Sequence, residues 1–411
     1  MHILLVADGR SPITRRWVGA LVALQHQVSL VSTFPCDEVA GVADLHVLPV
    51  AFAGLGGSQV GVPGGATPGR SRQLVSRFRP VFMSGRYFLG PLTLPFYARR
   101  FRRLVDEIKP DLVHALRIPF EGMLAAQTPA SIPLAVSIWG NDLTYHANGS
   151  PWMKAYTLRT LRRADGLLAD ARRDIRLGQL WGFLPEKPAL VVPGGAGIDL
   201  AEMHRLRAKF VESFADLLPA GVPLVVNPRG FRPGSVRNDI FFQAIPLVLE
   251  RKPKAFFVCT GMAGQPEALR WVQQLKLDGH IRLLPYLPQP QLWDLFVRAN
   301  TFVSVSAHDG TPNSFLEGIA CGCFPIVGDI ESLREWVTPG LNGFLVESDK
   351  PQALADALVV ALDNPELLAG AAEKNLQLIS QRAEAGMVRA QIEIFYQRLV
   401  GQAPPAATTT L

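Results

Sequence analysis

Cysteine is scarce in this chain: Cys36, Cys259, Cys321 and Cys323 are all it has in 411 residues. Four are too few for a disulfide framework in a protein this size and suit a reducing compartment. The Cys-Gly-Cys at 321–323 has no second cysteine or histidine cluster to complete a metal site, so its cysteines read as small buried hydrophobes. Long apolar runs are missing as well. IFFQAIPLVL at 240–249 falls far short of the ~20 residues that cross a bilayer, and it carries Gln243 and Pro246. The opening MHILLVADG lacks the basic n-region and cleavage site of a secretory signal, so the expected location is the cytoplasm. No short internal repeat indicates a solenoid. Charge is moderate too: net +6, with 18% charged and 48% hydrophobic residues, which excludes a disordered chain and allows two or three cored domains.

What is present is an alternation of short apolar runs and helical patterns. HILLVA (2–7), QVSLVS (27–32), DLVHAL (111–116), PLAVSIWG (133–140), GLLAD (166–170) and ALVVPGG (189–195) lie in the first half. PLVVNPR (223–229), KAFFVCTG (254–261), HIRLLPYL (280–287), TFVSVS (301–306), FPIVGD (324–329) and GFLVES (343–348) repeat the rhythm in the second, with helices expected over 238–252 and 289–300. Such runs are the mark of parallel strands covered on both faces by helices. Two α/β domains are expected, over 1–200 and 201–385, joined in the glycine-to-charge transition at 194–210. A helix over 386–400 is expected to pack back onto the first domain. Residues 53–69 read as a glycine-rich loop, and 401–411 as an unordered tail. Ligands of open parallel sheets bind outside the strand carboxyl ends, so the site is expected in a cleft between the two domains.

HDGTPNSFLEGIACGCFPIVGD (308–329) holds Asp309 and Glu317, with glycine, proline, asparagine and serine between them. It reads as strand, loop, helix, with Thr311 as N-cap and Pro312 at the first helical position. Gly310 allows a close approach, and the N–H groups of Asn313, Ser314 and Phe315 point from the helix terminus at an anion. Both acids can accept hydrogen bonds from sugar or ribose hydroxyls. Taken alone, such a pair would read as a helix-dipole complement and a packing residue.

The surrounding sequence changes that. The stretch resembles the E-x7-E signature of the retaining GT-B glycosyltransferases of the GT4 family, with Asp309 in place of the first glutamate. LLPYLPQPQLWDLF through GFLVESD (283–349) follows the family's C-terminal domain. NPRG (227–230) resembles its strand-end arginine, AGID (196–199) its interdomain passage, and HILLVADG (2–9) its opening strand and phosphate-side loop. The resemblance implies a GT-B fold, two Rossmann-like domains facing across a cleft. It also implies that Glu317 holds the ribose of a nucleotide-sugar, that Asp309 lies near the transferred sugar, and that the helix terminus and Arg229 meet the diphosphate. The family's usual lysine after the arginine has no clear counterpart. Arg232 and Arg237 are the candidates, and Arg237, just before a helix, is the choice. Gly9 stands alone where relatives often have a glycine pair. In SIWGNDLTYH (137–146), Trp139 replaces the family histidine while Gly140 and Asp142 match, so Asp142 is expected to orient an acceptor hydroxyl or sugar. Tyr286, with Pro285, is expected to border the base. His114 and His146 are further polar candidates, more simply read as structural.

The implied chemistry is metal-independent transfer, with retention, from a nucleotide-sugar to a glycan or lipid-linked acceptor, without a cofactor and in the service of surface polysaccharide or glycolipid synthesis. The rivals are a nucleotide-sugar epimerase of the same fold and a non-catalytic nucleotide-sugar binder. A dinucleotide oxidoreductase lacks its G-x-G-x-x-G after the first strand. Between residues 70 and 109, arginines interleave with aromatics and leucines. That composition fits either a solvated helix face or an anionic bilayer surface, with peripheral attachment to the inner face of a membrane. It lacks a legible stacking pattern for nucleic acid.

Overall fold

The computed structural model describes residues 1–53, 79–193, 195–207, 218–232 and 234–401. The glycine-rich stretch from 54 on, Arg72, Arg77 and the tail from 402 lie outside the described residues. The chain divides into two compact units. The first holds the described residues up to Gly197 and those from Gly386 on, and the second runs from Ile198 to Ala385.

The first unit is built on strands β1 (His2–Ala7), β2 (Gln27–Ser32), β3 (Asp44–Val47), β4 (Leu112–Ala115), β5 (Leu134–Ile138), β6 (Gly166–Ala169) and β7 (Ala189–Val191). They pair in the order β3-β2-β1-β4-β5-β6-β7, all parallel. Alternation along β1 explains why the run is apolar throughout. Ile3, Leu5 and Ala7 pack with Trp17, Val18 and Leu21 of the helix Pro12–Ala23, whereas Leu4 and Val6 pack with Phe101 and Val105 of the helix Arg79–Ile108. The helix Ala385–Leu399 closes the first of these faces through Val388, Ile392 and Tyr396. Two polar contacts fix it: the Tyr396 hydroxyl lies 2.7 Å from His114 Nδ1, and Glu393 Oε2 lies 2.6 Å from His26 Nε2.

The second unit repeats the plan with β8 (Leu224–Asn227), β9 (Phe256–Cys259), β10 (Ile281–Leu283), β11 (Thr301–Ser304), β12 (Phe324–Gly328) and β13 (Phe344–Val346), all parallel in the order β10-β9-β8-β11-β12-β13. Val226 and Val258 point to one core, and Val225 and Phe257 to the other. In each sheet the chain winds outward from its first strand, then returns to that strand's other side. The order therefore reverses between β1 and β4 and between β8 and β11, and a crevice at the carboxyl ends there is the usual ligand position of such sheets. Cys259 and Cys323 are buried in these cores, and all four cysteines are free thiols. No helix among the described residues is long and apolar enough to cross a membrane.

Candidate functional site

The residues just past β8 and β11 flank the reversal of the second sheet. Asn227, ending β8, accepts from the Arg229 N–H at 3.1 Å and donates to Asn238 Oδ1 at 3.0 Å, while Asn238 donates to the Gly230 carbonyl at 2.6 Å. This amide network holds the turn that carries Arg229. The guanidinium reaches the loop after β11, where Nη2 pairs with Asp309 and Nη1 donates to Ser314 Oγ at 3.2 Å. Its buried Nε has no partner. Burial pushes the Arg229 pKa down to about 10; the Asp309 carboxylate opposes that shift, and Arg232 adds to it. The site therefore holds a buried cation balanced by one carboxylate.

Asp309 is less enclosed than its partner, with its side chain 20% exposed against 7% for Arg229. Its Oδ2 also accepts from Ser306 Oγ at 3.3 Å, and its backbone carbonyl accepts from Ser332 Oγ at 2.8 Å. Gly310 is buried in the bend that follows. The helix starts one residue later than its sequence suggests, running Asn313–Ala320 with Pro312 as N-cap. The Pro312 carbonyl takes the N–H groups of Phe315 and Leu316 at 3.0 and 3.2 Å, which closes the first turn. Thr311 is therefore no cap: it is buried, and its hydroxyl accepts from Trp336 Nε1 at 3.1 Å. Phe315 likewise leaves the anion site, because its N–H is spent on Pro312 and its ring packs edge-on against Phe302 and Trp336. The N–H groups of Asn313 and Ser314 stand at the open end of the helix.

Glu317 is buried one turn further on, and its Oε1 accepts from Gln289 Nε2 at 2.8 Å. Gln289 opens the helix Gln289–Arg298, so a residue that carried no motif signal helps to orient the carboxylate. Tyr286 is 53% exposed and close enough to Arg229 to help hold its proton. Arg237 does not present its fork to a ligand. Asp239, two residues on, takes it at 2.9 Å (Nε–Oδ1) and 2.7 Å (Nη2–Oδ2), which raises the Arg237 pKa. Arg232 is the exposed cation beside Arg229, donating from Nε to the Arg229 carbonyl at 3.3 Å.

In the first unit, two expected site residues are occupied internally. The Gly9 N–H donates to Ser32 Oγ at 3.0 Å, and a β-carbon there would collide with Cys36 Sγ, so the glycine is required by packing and its N–H is not offered to a phosphate. Asp142 is fully buried. Its Oδ1 accepts from Arg117 Nη2 at 2.6 Å, and its Oδ2 from the N–H groups of Ile118 and Trp139 at 3.0 and 3.2 Å. The carboxylate thus braces Arg117, which lies over the Trp139 ring at 4.9 Å, rather than facing an acceptor. His114 bridges Tyr396 and Ser137 and is held neutral, its pKa pushed down to about 3 by burial. His146 accepts or donates a 2.6 Å bond with the Tyr87 hydroxyl; burial, then Arg117 and Arg86, push it down to about 3 as well. Sequence reasoning passed over Glu121, a buried carboxyl bonded to the Thr33 hydroxyl at 3.0 Å and pushed up to about 7 by burial. Among the described residues, no group of three or more His, Cys, Asp or Glu is placed to hold a metal ion.

Known proteins resemble this chain along most of its length. Residues 8–195 match the family described as glycosyl transferase 4-like domain, and residues 235–377 that described as glycosyl transferases group 1. A D-inositol 3-phosphate glycosyltransferase of Thermobispora bispora is 27% identical over 217 residues, 50% of this chain and 50% of that protein. The O-antigen chain mannosyltransferase B of Escherichia coli is 26% identical over 125 residues, 30% of this chain and 32% of that protein. The chain thus spans about half the length, or less, of the curated relatives it matches. Among solved structures, sucrose-phosphate synthase from Thermosynechococcus elongatus superposes with a TM-score of 0.72 at 15% identity, over 98% of this chain and 100% of that one. Anabaena HepE in complex with UDP-glucose gives 0.66 at 16%, over 96% and 98%.

Proposed function

The chain belongs to the group 1 glycosyl transferases and has the GT-B fold of its structural neighbours, and on that premise we propose that it transfers a sugar from a nucleoside-diphosphate-sugar to a hydroxyl acceptor with retention of configuration. The observation that carries this reading is Arg229, a buried guanidinium spanning Asp309 and Ser314 at the open end of the helix that bears Glu317. A leaving diphosphate needs forked, charge-assisted donors and helix N–H groups; a ribose needs a fixed carboxylate. Glu317, steadied by Gln289, serves the ribose. Arg229, Arg232 and the Asn313 and Ser314 N–H groups serve the diphosphate.

The reaction balances without a protein nucleophile. The acceptor hydroxyl oxygen bonds to the anomeric carbon on the face the diphosphate leaves, the bond from that carbon to the phosphate oxygen breaks, and the hydroxyl proton passes to the departing phosphate. The protein supplies electrostatic stabilisation of the diphosphate, and Asp309 stabilises charge developing on the sugar. We infer that side-chain cations do this work without a metal ion or organic cofactor. Turnover should persist in chelator, and loss in EDTA restored by Mg²⁺ would refute that part.

The experiment for the whole reading is donor hydrolysis and transfer with UDP-glucose, the donor bound to HepE, then with other nucleotide-sugars, each with and without acceptor candidates. Nucleotide release that rises with acceptor supports transfer. Interconversion of the sugar without acceptor would point to an epimerase, and binding without turnover to a carrier.

The acceptor class proposed is a glycan or a lipid-linked glycan, met at the inner face of a membrane. The helix Arg79–Ile108 turns Leu89, Leu92 and Phe96 outward, 53%, 59% and 78% exposed, at helical spacing, and the exposed Arg99, Arg100 and Arg103 continue that stripe. Apolar anchors beside cations suit anionic lipid, at ~1 kcal/mol per cation near the surface. Wild-type protein should sediment with phosphatidylglycerol vesicles at low salt, and Phe96→Asp should not. Equal sedimentation of the two would remove the membrane from this account.

A further inference from the structure

The first sheet reverses between β1 and β4, and three arginines gather past the strand ends there. Two are balanced. Arg10 is held by both oxygens of Asp8, at 3.0 Å (Nε–Oδ1) and 2.9 Å (Nη2–Oδ2), and Arg117 is held by Asp142. The third, Arg86, is half-buried and makes no hydrogen bond or ion pair among the described residues. Its guanidinium lies over two rings instead, Phe120 at 4.8 Å and Phe34 at 5.1 Å, and Arg10 covers Phe34 at 3.9 Å. Stacking holds a guanidinium in place but leaves its five N–H donors unspent. Burial pulls the Arg86 pKa down; Glu121, Tyr87 and Asp8 act against that, and Arg117 with it. Glu121 is the acid that acts on Arg86 most strongly, yet it bonds to Thr33 and is itself pushed up to about 7 by burial, so near neutrality it is a weak counter-charge.

The backbone beneath Arg86 gives a second, independent observation. Phe120 adopts φ 67° and ψ −49° in the kinked turn Ile118–Gly122. A phenylalanine in that region of φ/ψ is strained, at a cost of order 1–3 kcal/mol, and such strain persists where the surroundings impose it, commonly at ligand sites. Here it lays the Phe120 ring under one face of the helix Arg79–Ile108. Gly90 packs against the ring so closely that a β-carbon would sit 2.9 Å from it, and Arg86 covers the ring one turn earlier on the same face. The chain keeps together a strained residue and a half-buried cation with no ion-pair partner among the described residues, and an anion would resolve the second of these costs.

We propose that Arg86, seated on Phe34 and Phe120, is an anion-binding residue of the first unit, and that the anion is an oxyanion substituent, phosphate or carboxylate, of the acceptor. The assignment to the acceptor rests on the transfer reaction proposed above; the anion site itself does not. The donor diphosphate already has Arg229 and Arg232 in the other unit, so this cation is left for a second charged group.

Calorimetric titration of full-length protein tests this, with glycerol 3-phosphate as the phosphate probe and glucuronate as the carboxylate probe, each without UDP and in saturating UDP. At least one should bind the wild type. Arg86→Met keeps an apolar stem over the rings and should cost about tenfold or more in that affinity, the scale of a lost charged hydrogen bond. Arg86→Lys should fall between. Because the removed charge has no ion-pair partner among the described residues, Arg86→Met should keep the wild-type thermal midpoint or raise it, whereas loss of a purely structural arginine would lower it. Binding of neither probe, equal binding by wild type and Arg86→Met, or displacement of the probe by UDP would overturn the proposal, the last by assigning Arg86 to the donor. UDP binding measured in the same titrations separates the two readings: its absence with Arg86-dependent probe binding intact would sink the donor site and leave the anion site standing.

Discussion

Asp309→Asn removes one charge and almost no volume. In the ligand-free chain, the Asp309 carboxylate is what balances Arg229. Removing one partner of a fully buried ion pair costs about 3–5 kcal/mol, because the other charge is left uncompensated. Asp309 is partly exposed, and asparagine keeps one oxygen to accept from Arg229, so the expected loss is nearer to about 2 kcal/mol. For a folding unit of this size, that is a fall of about 4–8 °C in thermal midpoint. In the proposed donor site a nucleoside diphosphate would present negative charge to the same guanidinium and restore what the mutation removed. By linkage, the stability deficit of the free variant returns as binding energy, so the variant should bind UDP or its cognate diphosphate as tightly as wild type or more so, by up to about 30-fold. Turnover should nevertheless fall, because the carboxylate proposed to stabilise charge on the reacting sugar is gone.

The assay pairs thermal midpoints with and without nucleotide, calorimetric affinity, and turnover. Arg229→Ala is the control that should lose diphosphate affinity about 10- to 100-fold, with little change for the nucleoside. Should the nucleotide-induced stabilisation be the same in Asp309→Asn as in wild type, the carboxylate and the diphosphate do not share Arg229. A loss of diphosphate affinity in Asp309→Asn like that in Arg229→Ala would likewise refute the exchange.

Arg232→Ala should weaken diphosphate binding about tenfold while Arg237→Ala leaves it within twofold, since Asp239 holds the Arg237 fork; the reverse order by calorimetry would restore Arg237 to the site. Glu317→Gln keeps one oxygen toward Gln289 and should lose about 1–2 kcal/mol toward both nucleoside and nucleoside diphosphate, because the ribose is common to both; a loss confined to the diphosphate would contradict a ribose contact. His114, neutral when folded with a pKa near 3 against about 6.5 unfolded, contributes stability that is fully present above about pH 6.5 and is lost as pH falls toward 3. Acid should therefore loosen the helix Ala385–Leu399 from β4, and amide protection factors in that helix, taken relative to intrinsic exchange at each pH, that stay flat from pH 7 to 4 would show that the His114–Tyr396 bond does not hold it.

Much of the fold was legible because buried parallel strands leave an unmistakable pattern. HILLVA and QVSLVS coincide with β1 and β2 residue for residue, while the expected strands in the second half run long at their carboxyl ends, by a residue or two in most and by four in HIRLLPYL, whose strand stops at Leu283. β3 went unread: DLHV is four residues at the sheet edge, with Asp44 exposed and the others only half-buried, so it has no apolar run to show. At the site, residue types were legible and their partners were not. Asp142 is an acid in a family-like turn, but nothing in SIWGND reveals that the N–H groups of Ile118 and Trp139 and the Arg117 guanidinium converge on it. Gln289 and Glu317 meet only once two helices pack. Arg86 lay within a basic, aromatic-rich run whose composition points outward, and only tertiary packing brings Phe34 and Phe120 beneath it.

The two arginine–aspartate pairs show why residue type alone misassigned one of them. In each unit an arginine just past one strand meets an aspartate from the loop past the neighbouring strand: Arg117 after β4 with Asp142 after β5, and Arg229 after β8 with Asp309 after β11. The exposures run in opposite senses. Asp142 is fully buried and its arginine 24% exposed, whereas Asp309 is 20% exposed and its arginine 7%. Asp142 also spends its second oxygen on two backbone N–H groups, while Asp309 adds only a 3.3 Å serine hydroxyl. A ligand that displaced Asp142 would strand three donors and a buried carboxylate at once. One that displaced Asp309 would strand a group already in reach of water and would itself satisfy the arginine. The first pair is therefore a brace for the turn around Trp139, and the second is a counter-ion that can be exchanged. Asp142→Asn should accordingly lower stability with and without nucleotide by the same amount, in contrast to Asp309→Asn, because no ligand charge substitutes for a carboxylate enclosed by its own backbone.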